Sequence, residues 1–165
     1  MEIFRGKRLW IEKRTIRLPQ GIEREKVIVH PNNAVAIFPV DEDRCKLLKQ
    51  YRFAIDQYIY EMPAGTVEPG EDPEVTARRE LIEETGFTAQ TIVSKGFIFT
   101  TPGFTDEKIF LFEARNLSPS EEYGKDEDEV IEVVDVPVSD LPGMIRDGTI
   151  VDAKTICLIY HCLGC

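Results

Sequence analysis

No stretch of eighteen apolar residues, the length a membrane-spanning helix needs, occurs in this 165-residue chain, and no apolar run follows the opening Met-Glu-Ile-Phe-Arg-Gly-Lys-Arg. Neither a membrane span nor a signal peptide is expected, which leaves the cytoplasm as the compartment. Basic charge is also scarce: 20 Lys and Arg stand against 30 Asp and Glu, for a formal net charge of −10. Such a field repels a nucleic-acid backbone, so no nucleic-acid partner is expected. A small phosphorylated ligand is still compatible, because a bound metal and a few local arginines reverse the sign of the field at one site. The cysteines at 45, 157, 162 and 165 lack the paired Cys-x-x-Cys knuckles of a zinc site and are expected to be reduced, mostly buried, small apolar side chains. There is no internal repeat and no low-complexity linker, and the length suits one domain, 1–165.

What is present centres on residues 65–87. Asp72 is placed to accept hydrogen bonds from the first free amides of a helix, Pro73 suits its first position, and Gly86 can close it in a left-handed conformation. The spacing predicts a helix over Pro73–Thr85 with Val75, Ala77, Leu81 and Ile82 on the buried side. Glu80, Glu83 and Glu84, at intervals of three and four, share another side. Three carboxylates so placed repel one another unless a cation lies between them. Oxygen ligands clustered this way suit a hard divalent ion such as magnesium or manganese, whose natural companion is a diphosphate.

The full spacing is Gly65, five residues, Glu71, seven residues, then Arg79-Glu80-Leu81-Ile82-Glu83-Glu84-Thr85-Gly86-Phe87. This resembles the Nudix box, with Phe87 a slightly unusual choice at an apolar position. The resemblance implies the α/β Nudix fold: mixed β-sheets sandwiched between helices, here with an N-terminal antiparallel hairpin. It also implies hydrolysis of a nucleoside diphosphate linked to another group. By the same match Glu80, Glu83 and Glu84 resemble the metal-binding acids, with a backbone carbonyl of Ala64 or Gly65 completing the site for Mg2+, or Mn2+ as substitute. Arg79 resembles the arginine that holds the loop and orients a glutamate, and Glu71 its partner.

Around this centre the apolar runs 8–18 and 22–29 flank Pro19-Gln20-Gly21 and read as a β-hairpin, with Ala34–Val40 and Cys45–Tyr51 as a second. Ile59–Gly65 reads as a strand whose pairing Pro63 ends. Thr91–Thr100 and Lys108–Ala114 read as two more strands, and Val130–Val136 as another. Ser139 opens a short helix, and Asp152 caps a last helix with Ile156, Leu158, Ile159 and Leu163 on its apolar face. The acid-rich segment 118–129 reads as a loop.

Two strings narrow the resemblance. Glu61-Met62-Pro63-Ala64-Gly65 is similar to the Glu-x-Pro-Ala-Gly of ADP-ribose and sugar-nucleotide hydrolases. Pro102, sixteen residues after Gly86, opens Pro-Gly-Phe-Thr-Asp-Glu, similar to the signature of ADP-ribose pyrophosphatases. The implied reaction is hydrolysis of ADP-ribose to AMP and ribose 5-phosphate. The implied substrate contacts are Arg24, Arg52, Glu61, Gly103 and Glu107, with a homodimer supported by the 1–30 hairpin. Two loop acids, Glu127 and then Glu129, and Glu83 on the helix are candidates for the general base. Alternatives are another nucleoside-diphosphate sugar or a dinucleotide as substrate, or a non-catalytic ADP-ribose sensor.

Overall fold

A computed structural model describes residues 1–121 and 131–164. Strands β1 (Glu2–Arg5), β2 (Leu9–Arg17) and β3 (Glu23–Pro31) form a three-stranded antiparallel sheet in that order. The expected hairpin is β2–β3, in continuous register from Leu9↔Pro31 to Arg17↔Glu23. The added strand β1 is exposed along its whole length, so no apolar alternation marks it in the sequence.

The second sheet has seven strands: β4 (Ala34–Asp41), β5 (Arg44–Arg52), β6 (Gln57–Glu61), β7 (Ala64–Thr66), β8 (Phe87–Phe99), β9 (Lys108–Pro119) and β10 (Ile131–Pro137). The second hairpin is cut short: β4 and β5 pair only at Val40↔Cys45 and Asp41↔Arg44. Beyond those pairs β5 takes β6 and β4 takes β7, both antiparallel, while along their opposite edges β5 pairs antiparallel with β10 and β4 parallel with β9. The one parallel pair makes the sheet mixed. Strand β4 is apolar without alternation because both its faces are covered, as buried parallel strands require. Val35 and Ile37 face Ala77 and Leu81 of helix α1 (Pro73–Thr85). Ala36 and Phe38 face the opposite core, with Leu158 and Ile159 of helix α3 (Ala153–Leu163). Each fully buried leucine there contributes about 1.5–3 kcal/mol.

Two buried-face expectations need correcting. Val75 is 56% exposed, because it lies about half a turn away from the Ala77–Leu81 stripe; Thr76, Glu84 and Thr85 are buried in its place. Leu163 is 36% exposed at the end of α3, and Cys162, four residues after Leu158, packs against that core instead. Between β10 and α3 the chain makes a single 3-10 turn, Val138–Asp140, and then helix α2 (Leu141–Arg146). Pro63 separates β6 from β7, and its carbonyl accepts from the Ile37 amide at 2.8 Å, so the chain crosses from the side of β5 to that of β4. That crossing delivers Ala64 and Gly65 beneath α1.

Candidate active site

Helix α1 begins and ends on the residues its sequence nominates. Asp72 Oδ1 accepts from the Glu74 amide at 2.8 Å, and Gly86 takes a φ of 77° while its amide donates to the Ile82 carbonyl at 2.9 Å. The rotation so fixed aims the acids at β7. Glu84 is buried, and its Oε2 accepts from the Ala64 amide at 2.8 Å. Glu80 lies directly over Gly65: a Cβ on that residue would stand 1.9 Å from Glu80 Cδ and 2.1 and 2.3 Å from its two oxygens. Only glycine leaves the carboxylate its place.

Arg79 is the hub. Its Nη1 donates to Glu80 Oε1 at 2.7 Å and to Glu83 Oε2 at 2.9 Å. Its Nε and Nη2 reach Glu71 Oε1 and Oε2 at 3.3 and 3.2 Å, and Nη2 also reaches the Thr66 carbonyl at 3.4 Å. One guanidinium thus ties the 67–72 loop to the acidic side of α1. The Glu71 bonds, with those to Glu80 and Glu83, raise the Arg79 pKa against the opposing effect of burial. Among the described residues no three His, Cys, Asp or Glu side chains converge as a ready metal cage. In this arrangement Arg79 is the cation between Glu80 and Glu83. The donor set still fits a hard divalent ion: it is all oxygen, it lies on one side of one helix, and Gly65 leaves a cradle for Glu80 that any Cβ would fill.

The Arg79 hydrogen bond, reinforced by Thr76 and the Glu68 amide, holds the Glu71 carboxyl down at about 2, against an ordinary 4.5. A depressed native pKa stabilises the fold fully above the unfolded value and loses that contribution as pH falls through the native one. The melting-temperature difference between wild type and Glu71→Gln is therefore expected to be constant near neutrality and to shrink as pH falls from 4.5 towards 2. Solvent screening keeps it small. A gap that stays constant through that range would show that the ion pair does not anchor the loop.

The acidic side of α1 lines a cavity of about 820 Å³, and the structure brings Ala64, Gly65, Arg79, Glu80, Glu83, Glu84, Arg52 and Glu107 together around it. Arg52 donates to the Glu61 carboxylate from Nε at 2.7 Å and Nη2 at 3.1 Å. Its pKa is raised: burial works against the charge, and Glu61 outweighs it. Glu107 Oε2 accepts from Thr100 Oγ1 at 2.7 Å. Three expected contacts stand elsewhere. Glu61 is 2% exposed and is occupied by Arg52 and Lys154 behind the cavity wall. Arg24 is exposed on β3 and donates to the Glu23 carbonyl, and Gly103 lies in an exposed turn with open space about it. Glu127 and Glu129 lie outside the described residues.

Sequence reasoning missed Lys7, Arg8 and Lys154, all on the cavity wall. Arg24, the basic residue of the N-terminal strands that the resemblance implies as a substrate contact, is further along the hairpin, on β3. Lys7 and Arg8 belong to the turn after β1, the strand that left no signal. Lys154 sits inside an Asp-Ala-Lys-Thr string that marks a helix start without revealing where the amine points.

A family model described as NUDIX domain matches residues 30–159. An ADP-ribose pyrophosphatase of Bacillus subtilis (strain 168) is 40% identical over 162 residues, 97% of this chain and 88% of that protein. A methanol dehydrogenase activator of Bacillus methanolicus is 35% identical over the same shares. The crystal structure of an ADP compounds hydrolase superposes with a TM-score of 0.88 over 99% of this chain and 89% of that one, at 24% identity.

Proposed function

The chain belongs to the Nudix family, and from that premise we propose that this Nudix hydrolase splits the diphosphate of ADP-ribose to AMP and ribose 5-phosphate. One observation carries the reading: an acid-sided helix packed over Gly65 faces, across one cavity, the guanidinium of Arg52. Acids for a divalent ion and a cation for phosphate oxygens are the two halves of a diphosphate site. The relative named ADP-ribose pyrophosphatase, which matches nearly the whole chain, supports the choice of substrate.

Glu80, Glu83, Glu84 and the Ala64 or Gly65 carbonyl would hold Mg2+, with Mn2+ as substitute. An ion bound there supplies Lewis-acid polarisation of the diphosphate and acidifies water. The protein's own groups do the rest. Arg52, held by Glu61, grips a phosphate through parallel hydrogen bonds and fixes the diphosphate along the wall. Arg79 keeps the helix and loop in register, so that Glu80 and Glu83 stay where they are needed. A carboxylate takes the proton from the attacking water; Glu83, half exposed at the cavity, and the loop acids Glu127 and Glu129 are the candidates. The same reading takes 1–165 as one catalytic unit acting in the cytoplasm as a homodimer through its N-terminal strands, with no nucleic-acid partner.

Chromatography of a reaction containing ADP-ribose and Mg2+ is expected to show AMP and ribose 5-phosphate in equal amounts. Binding of ADP-ribose without products would favour the sensor.

A further inference from the structure

Behind the cavity wall a buried carboxylate joins two cations that both reach the cavity. Glu61 accepts twice from Arg52 and once, through Oε1, from Lys154 Nζ. Lys154 in turn pairs with Asp152 Oδ1 at 3.0 Å, and its side chain is 14% exposed. Asp152 caps α3, accepting from the Thr155 amide and hydroxyl at 2.9 and 2.6 Å, and Thr155 Oγ1 accepts from the Met62 amide at 2.8 Å. Two links, which share Asp152 at the start of α3, therefore join that helix to the end of β6. One is neutral, through Thr155, and the other is charged, through Lys154 and Glu61.

The charged link has a consequence that the neutral one lacks. Glu61 has two oxygens and, at 2% exposure, no solvent to satisfy them. With Lys154 on Oε1, Arg52 holds the carboxylate by its Nε and one Nη edge. A guanidinium has five donors, so Nη1 and the remaining hydrogens are free of this carboxylate. Without Lys154, Arg52 is the one cation among the described residues left to compensate the buried Glu61 charge, whose under-compensation is costly and whose attraction for the remaining guanidinium is strong away from water. Arg52 would be drawn towards Glu61 and away from the ligand.

We infer that Lys154 is a positioning residue for substrate binding: by sharing the buried Glu61 carboxylate, it keeps the Arg52 guanidinium presented to the phosphate groups of a nucleoside diphosphate in the cavity. The inference rests on the proposed diphosphate-hydrolase reading and adds to it a residue on another element, α3, that sets affinity.

The test is a double-mutant cycle in the full-length protein with Lys154→Met, Arg52→Ala and the pair, using ADP-ribose. Lys154→Met is expected to raise KM roughly tenfold, the size of one weakened charge-assisted hydrogen bond, with a much smaller change in kcat. In the Arg52→Ala background the same substitution should add almost nothing, because Lys154 acts through Arg52. Lys154→Arg should restore most of the affinity. Thr155→Val is the structural control: it cuts the neutral link and should lower the melting temperature without the rise in KM. If Lys154→Met does not fold, Lys154→Gln takes its place with the same expected result. An unchanged KM, a rise that is additive with Arg52→Ala, or an equal rise in Thr155→Val would each overturn the inference. Should the wild type bind ADP-ribose but not hydrolyse it, the hydrolase reading fails, and the same cycle read by calorimetric affinity still decides the role of Lys154.

Discussion

Glu84→Gln is expected to lose roughly 10³-fold in kcat while remaining folded. The amide keeps an oxygen for the Ala64 N–H, which Glu84 Oε2 now satisfies at 2.8 Å, so the link between α1 and β7 survives. What disappears is a buried negative charge. If that charge helps hold a divalent ion, the loss removes about 4 kcal/mol of the several that such an ion contributes in the transition state, and each 1.36 kcal/mol is tenfold in rate. Circular dichroism and thermal melting establish that the fold is intact, and steady-state turnover gives the loss. A variant with wild-type kcat would remove Glu84 from the site.

Gly65→Ala should be nearly as damaging to activity by a different route. Its Cβ would enter the volume of the Glu80 carboxylate, at 1.9 Å from Cδ. The obstructed group is the far end of a flexible side chain, so the fold escapes by rotating Glu80 outward. The expected stability loss is about 1 kcal/mol, a shift of roughly 2–4 °C for a domain this size. The carboxylate cannot move out and still serve the site, because Arg79 Nη1 holds it only 2.7 Å away in its present place. A fall in kcat/KM of roughly 100-fold is therefore expected, as a small misplacement in a preorganised site gives. Wild-type activity in this variant would mean that Glu80 works from another position, or not at all.

How much of this was legible depended on whether the deciding interactions were local. Helix α1 could be read to the residue because its ends are set by side chains within one turn, Asp72 at the start and Gly86 at the close. The acid spacing followed from helix geometry alone, and so did the grouping of Glu80, Glu83 and Glu84. Strand β1 was invisible because none of its residues reaches the core, and the periodicity that marks a strand comes from burial on one face. The extent of β4–β5 pairing was misjudged for another reason. Ala64 to Thr66 take the β5-side edge of β4 at Ala34 to Ala36, with the Pro63 carbonyl on the Ile37 amide, and nothing near the turn at 42–43 shows that competition. The site divided along the same line. Arg79 and Glu71 were paired correctly by motif and span one short loop. The partnership of Lys154 with Glu61 joins residues 93 apart, and only the folded chain shows it. Arg24 and Gly103 carried roles from the resemblance that this chain's geometry does not place at the cavity, whereas Lys7 and Arg8, without such roles, line it.

The most direct measurement is a parallel determination of kcat/KM for ADP-ribose and ADP-glucose with Mg2+, together with a reaction from which divalent ions have been chelated. Turnover of ADP-ribose to AMP and ribose 5-phosphate is expected at a kcat/KM well above that of ADP-glucose, abolished by chelation and restored by added Mg2+. Equal or greater turnover of ADP-glucose would keep the diphosphate chemistry and overturn the substrate; undiminished turnover after chelation would contradict the acid-sided helix as the heart of the site.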